Sequence, residues 1–209
     1  MRIIFALMAL NGWYMTGVDV CMAYLYSKLD EAIYMCQPKG FITTGQENKV
    51  ICLQQALYGP KQAGLAWWKE LSQSMKVLGF KRLNSDAGIF VCHEGTELIV
   101  AVVYVDDAMF FGRNKKLVNK KKALFMSKWE CCDLGEVKEF LHMHVTRQGL
   151  DVSINQVDYL KKVLERFQMT NTKAAQTLLP SNWDLEENKE KATAAEITCY
   201  QSIIGSLLY

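Results

Sequence analysis

In the stretch YVDDAMFFG, residues 104–112, two aspartates stand side by side between apolar runs. The run before them, Leu98–Val105, is as hydrophobic as any in the chain. Carboxylates beside buried sequence are costly unless they reach water, a partner or a metal. Two like charges also raise each other's pKa unless a cation sits between them. Asp106 and Asp107 therefore form either a polar turn or part of a metal site. Neighbours in a regular strand point to opposite faces, so the pair shares a site only where the strand turns. With a third carboxylate nearby, divalent cations could bind, because Mg²⁺ takes few protein carboxylates and completes its shell with water and substrate phosphate. Asp19, at the end of a separate apolar segment, is the candidate. Such a site suits in-line displacement at phosphorus.

The elements that must position these residues follow from periodicity. Residues 2–12 read as a short apolar helix stopped at Asn11-Gly12, and Tyr14–Val20 as a strand with Asp19 near its end. Ile33–Met35 reads as a short strand before the turn at Gln37–Gly40. Trp67, Leu71, Met75 and Leu78 recur at helical spacing over Gly64–Leu78. Ile89–Cys92, Leu98–Val105 and Ala108–Phe111 read as strands, which makes Asp106-Asp107 a hairpin tip. Lys115–Trp129 is expected to be a helix with Leu117, Val118, Leu124, Phe125 and Trp129 on one side and its lysines on the other. Phe140–Thr146 and Val152–Ile154 suggest a hairpin around Gln148-Gly149. Gln156–Phe167 is strongly amphipathic, with Val157, Leu160, Val163, Leu164 and Phe167 expected inward. Residues 170–197 are polar and read as a linker, and Thr198–Tyr209 as a short apolar helix. Helices and antiparallel hairpins mix, so the fold class is α+β.

Composition bounds the function. The 209 residues are 50% hydrophobic and 22% charged, which suits a globular domain with a sizeable core. A net charge of +2 says little about partners, but Arg113–Lys128 carries seven basic residues and no acid. Such a patch attracts phosphate or simply faces water. Seven cysteines without a CxxC spacing resemble neither a disulfide framework nor a local zinc motif, and point to a reducing, intracellular setting. His142 and His144 share a strand face but lack a third ligand close in sequence. The segment Ile3–Leu10 has the length of a signal-peptide core, yet Asn11-Gly-Trp-Tyr14 follows instead of a small-residue cleavage site. No apolar stretch reaches the ~20 residues needed to span a bilayer.

Several blocks, in order, resemble the reverse transcriptase of copia-type LTR retrotransposons over nearly the whole chain. They are VDVCMAYLYSKLDEAIYMCQPKGF (18–41), CLQQALYGPKQAGLAWW (52–68), YVDD (104–107), DLGEVKEFL (133–141), YLKKVLERFQM (159–169) and YQSIIGSLLY (200–209). The resemblance implies that Asp19, Asp106 and Asp107 are the metal-binding triad of a polymerase palm, served by two Mg²⁺ ions, or by Mn²⁺. It implies that Tyr24 is the aromatic gate whose ring, packed under the sugar, leaves no room for a 2′-hydroxyl. Gln62 matches the segment lining the nucleotide and template site, and Tyr104 opens the catalytic tetrapeptide, so both are expected to bind substrate. The basic helix would lie near the nucleotide and primer path with most of its lysines solvated. Phe140–Val145 resembles the primer-grip hairpin.

The implied fold is a palm-type antiparallel sheet with packed helices and the fingers region largely missing. Residues 1–169 would form the partial palm and primer-grip region, 170–197 a polar linker, and 198–209 the start of a segment leading toward RNase H. The implied function is RNA-directed DNA polymerisation on an RNA/DNA template-primer with dNTPs, inside a Pol polyprotein, in the cytoplasm or a virus-like particle and without a membrane. Departures from the family favour a rival, a decayed and inactive copy that at most binds nucleic acid. Cys21 stands where the family has Lys, Ser27 and Pro60 replace a Gly and a Leu, and Gly64-Leu65 replaces Pro-Arg. His142 replaces a glycine. Without fingers to clamp the triphosphate, the chain alone is expected to be weak or inactive. Another palm-fold nucleotidyl transferase or cyclase would explain the carboxylates but not the block at 52–68.

Overall fold

The computed structural model describes residues 1–177 and 191–208. In chain order the elements are α1 (Arg2–Asn11), β1 (Tyr14–Val20), a 3₁₀ turn (Ala23–Tyr26), β2 (Tyr34–Cys36), β3 (Val50–Cys52) and α2 (Lys61–Val77). Next come β4 (Lys81–Arg82), β5 (Ile89–Glu94), β6 (Glu97–Tyr104), β7 (Asp107–Gly112), α3 (Lys115–Met126) and β8 (Cys131–Gly135). The remainder are β9 (Glu139–Phe140), β10 (Met143–Gln148), β11 (Asp151–Asn155), α4 (Val157–Arg166) and α5 (Ala194–Leu208). The chain divides into two compact units, Met1–Phe140 with Val145–Ser153, and Leu141–His144 with Ile154–Tyr209.

The first unit is built on an antiparallel sheet of order β4-β5-β6-β7-β1-β8. β6 is buried on both faces from Ile99 to Val103, as its unbroken apolar run requires. On one face Val18, Val20, Ala101, Val103, Ala108 and Phe110 pack with Trp67, Leu71 and Met75 of α2 and Val118 and Phe125 of α3. Phe110 meets Phe125 and Phe80 edge-on, with centroids 5.4 and 6.2 Å apart. Strand alternation sends Asp107, Met109 and Phe111 to the opposite face. There Phe5 of α1 meets Phe111 edge-on at 6.1 Å. Helix α1 ends as the sequence reads: Gly12 takes φ 60, and its N–H and that of Trp13 close on Ala9 O and Met8 O.

Helix α3 corrects one expectation. Its N-cap is Asn114, whose Oδ1 accepts from the N–H groups of Lys116 and Leu117. Its lysines do not all face water: Lys121 and Lys122 are buried, while Leu124 is exposed. Lys121 Nζ reaches Glu94 at 2.6 Å and Leu78 O at 2.8 Å. Lys122 Nζ contacts Asp133 Oδ1 at 2.7 Å and Oδ2 at 2.8 Å, and Thr16 Oγ1 at 2.9 Å. Thr16 in turn donates to Gly135 O. Long aliphatic stems let lysines cross an apolar face when an anion waits at the far end, and periodicity does not reveal that anion. The helix stops at Met126, before Trp129, which is nevertheless buried against Trp67 and Phe125.

In the second unit α4 carries the expected apolar stripe but no buried residue, with Val157, Leu160 and Leu164 all exposed. Amphipathicity shows which face is apolar, not what covers it. His144 Nε2 lies 2.9 Å from Asp158, holding that carboxyl below its usual range, and His142 stacks on Tyr159. Leu141 and His142 both adopt left-handed backbone, φ 48 and 57, so the glycine expected from the family at position 142 falls where a glycine is conformationally favoured. Helix α5 begins at Ala194, inside the segment expected to be linker, of which residues 178–190 lie outside the described residues. No helix among the described residues is long and apolar enough to cross a membrane.

Candidate active site

The aspartates are placed by sheet register. Tyr104 pairs with Asp107, Asp107 with Asp19, and Asp19 with Cys132. Directly paired residues share a face, so Tyr104, Asp107, Asp19 and Cys132 form one row across β6, β7, β1 and β8. It lies on the face opposite α2 and α3, toward the end of the sheet away from the Phe5–Phe111 contact. None of the four is buried.

Asp106 reaches the row from the turn. Only Val105 and Asp106 separate the paired residues Tyr104 and Asp107. Val105 sits at φ 56, a conformation that β-branched residues avoid. A positive φ at the first central residue is what a tight two-residue hairpin turn demands. Two bonds hold this strained turn. Trp67 Nε1 of α2 donates to Val105 O at 2.6 Å, and the N–H of Val20 donates to Asp106 O at 2.8 Å.

The electrostatics follow. Partial burial, and then the nearby Asp106 charge, push the Asp19 carboxyl above its ordinary value. The hydroxyl of Tyr58 donates to Asp106 Oδ2 at 3.2 Å, and burial and the aspartates raise its pKa too. Its ring packs on Tyr24 with centroids 4.4 Å apart. Tyr24 itself lies in the 3₁₀ turn just beyond β1, half-buried against the core.

Of the residues named from sequence, Asp19, Asp106, Asp107, Tyr104 and Tyr24 thus gather around one end of the sheet. Gln62, in the first turn of α2, donates to Glu31 at 2.6 Å and lines a separate cleft with Leu29, Asp30 and Leu65. Sequence spacing alone does not single out Tyr58 or Cys132. Tyr58 lies in the 52–68 block, and its contact with Asp106 spans 48 residues. Cys132 belongs to β8, whose short sequence shows no strand periodicity.

Asp19, Asp106 and Asp107 offer oxygen ligands of the kind a hard divalent cation takes, with Asp106 close enough to raise the Asp19 pKa and all three reachable from solvent, although their ligand atoms do not all lie within 4.8 Å of one another. Residues 1–180 match the reverse transcriptase (RNA-dependent DNA polymerase) family. The chain is 33% identical over 201 residues to a retrovirus-related Pol polyprotein from transposon TNT 1-94 of Nicotiana tabacum, covering 92% of this chain and 15% of that protein. It is 32% identical to the Pol polyprotein from transposon RE1 of Arabidopsis thaliana over 100% of this chain and 14% of that one. A putative transposon Ty5-1 protein of Saccharomyces cerevisiae is 32% identical over 92% of this chain and 62% of its own length. The chain thus spans a small part of the two plant polyproteins and less than two thirds of the yeast protein. The order of blocks, the aspartate row and these matches together assign the chain to the reverse transcriptase family of copia-type retrotransposon Pol polyproteins.

Proposed function

We propose that this chain carries the palm-type catalytic centre of an RNA-directed DNA polymerase, with Asp19, Asp106 and Asp107 holding two Mg²⁺ ions. The observation that carries the reading is the cross-strand pairing of Asp19 with Asp107, flanked by a turn that brings Asp106 close enough to raise the Asp19 pKa. Such ions, when bound, activate the primer 3′-hydroxyl and neutralise charge on the departing pyrophosphate. The chain's own residues do the positioning. Trp67 and Val20 fix the turn, Tyr58 orients one Asp106 oxygen, and the Tyr24 ring packs beneath the sugar to exclude a 2′-hydroxyl. Tyr104, exposed beside Asp107, offers its ring to the primer-template. The substrates are a template-primer and dNTPs, and the working partner is the rest of a Pol polyprotein.

Two measurements test this reading. Mn²⁺ binding, followed by loss of its free electron-spin resonance signal, is expected for the wild type and strongly weakened in Asp106→Asn. Primer extension on poly(rA)/oligo(dT) is expected to be weak for the 209-residue chain and absent in the same variant. A wild-type chain that shows no Mn²⁺ binding and no extension would overturn the reading. Template-primer binding with no Mn²⁺ uptake would favour the inactive, nucleic-acid-binding alternative.

A further inference from the structure

The same end of the sheet carries a second set of donors that the polymerase reading leaves unused. Cys21 follows Asp19 by two residues and Cys132 is its cross-strand partner. Register therefore sets the three side chains together, although Cys21 and Cys132 are 111 residues apart. One ligand atom each from Asp19, Cys21 and Cys132 lies within 4.8 Å of the other two. Among the described residues, this is the one group of three or more His, Cys, Asp or Glu that comes so close.

The two sulfurs are 3.7 Å apart. A disulfide needs about 2.05 Å. A tetrahedral ion with Zn–S bonds of about 2.3 Å places two thiolates about 3.8 Å apart. The spacing already matches a shared metal. The backbone around it is fixed as well, because the N–H of Cys21 donates to Glu130 O at 2.9 Å and continues the β1–β8 ladder. Cys131, by contrast, packs toward the hydrophobic core, and its thiol is pushed up to about 11, chiefly by burial. It is not a ligand.

The geometry points to a Zn²⁺ site formed by Asp19 Oδ, Cys21 Sγ and Cys132 Sγ, with the fourth position open to water. Two thiolates select a softer ion than Mg²⁺, which prefers oxygen. Because Asp19 belongs to both sets, occupation by Zn²⁺ would withdraw it from the carboxylate row. Only that consequence rests on the polymerase reading; the site itself does not.

Cobalt serves as the spectroscopic probe. The reduced 209-residue chain is titrated with Co²⁺ in a phosphine reductant. The expected result is one Co²⁺ per chain, with an ultraviolet thiolate-to-cobalt charge-transfer band and strong visible bands of tetrahedral geometry. Zn²⁺ should displace the probe stoichiometrically and millimolar Mg²⁺ should not. Cys21→Ser and Cys132→Ser should each lose about half of the charge-transfer intensity and weaken binding more than about tenfold, since even outer-sphere partners are worth 10–100-fold. The double variant should lose the band, while Cys36→Ser keeps it. Circular dichroism checks that the variants fold, and Asp19→Asn, which keeps both thiolates, should retain the band but bind more weakly. A wild type showing only weak octahedral bands would overturn the site, as would a folded double variant that keeps the charge-transfer band. No polymerase activity enters the measurement, so its failure and failure of the polymerase reading are distinguishable.

Discussion

Asp19 is held in a state that the fold alone does not favour. Burial and the Asp106 charge both oppose its ionisation, so its folded pKa lies above the unfolded one. The sign follows from linkage: the folded state binds the proton more tightly, so stability falls as pH rises from the unfolded toward the folded pKa, and the penalty is complete above both. At neutral pH without metal, Asp19→Asn should therefore raise Tm, only slightly because solvent screens the partly exposed carboxyl. Added Mg²⁺ should stabilise the wild type and close the gap. Thermal melts in EDTA and in Mg²⁺ check both halves, and a lower Tm for the variant in EDTA would contradict the assignment. The three aspartates were legible in the sequence because the strand ends and hairpin tip that carry them have local signatures. Tyr58 was not, because its relation to Asp106 is made only when the loop before α2 meets the β6–β7 turn.

At the scale of elements, the buried lysines of α3 carry more structure than charge. Lys122 ties the helix to β8 through Asp133 and to β1 through Thr16. Replacing it with Met keeps the aliphatic stem but removes the ammonium from the half-exposed Asp133 carboxylate and from the buried Thr16 hydroxyl, which keep only their bonds to Gly135. Hydrogen bonds to charged groups are worth about 1.5–3 kcal/mol, and the exposure of Asp133 lowers the expectation to about 1–2 kcal/mol. The Lys122 bond holds the Asp133 carboxyl below its usual range. Its contribution is thus full above the unfolded pKa and disappears as pH falls through the folded one. Urea titrations should show Lys122→Met clearly destabilised at pH 7, with the difference shrinking in strong acid. Most of the main sheet was readable: β1 matches its expected bounds, and the ends of β5, β6 and β7 differ by no more than two residues. β4 and β8 were not, since two to five residues without alternation acquire strand structure only from their neighbours. The primer-path role suggested for the basic helix falls away for Lys121 and Lys122, which are committed to Glu94 and Asp133.

At the scale of the whole molecule, stability should be unevenly distributed. In the first unit, β6 and β7 are buried almost throughout, whereas α4 in the second buries no side chain. Local opening costs little where few apolar contacts must be broken. Hydrogen exchange read by mass spectrometry should find the amides of β1, β6 and β7 protected at least about 100-fold more than those of α4, a difference of about 2.7 kcal/mol in opening free energy. Equal protection would show that α4 is buttressed as firmly as the sheet. The apolar face of α4 was legible as a face, while its exposure was not, because a chain's own pattern does not record what else is present to cover it.

The bond from Trp67 to Val105 changes how copies of such an element should be compared. The tetrapeptide at 104–107 is what a motif search finds, yet its second residue is kept in a strained shape by an indole 38 positions upstream. A copy with Tyr-Val-Asp-Asp intact and Trp67 lost would be catalogued as sound while its hairpin kept only the Val20 bond to Asp106 O. Whether the turn is intact is therefore read from the pair and not from the tetrapeptide alone.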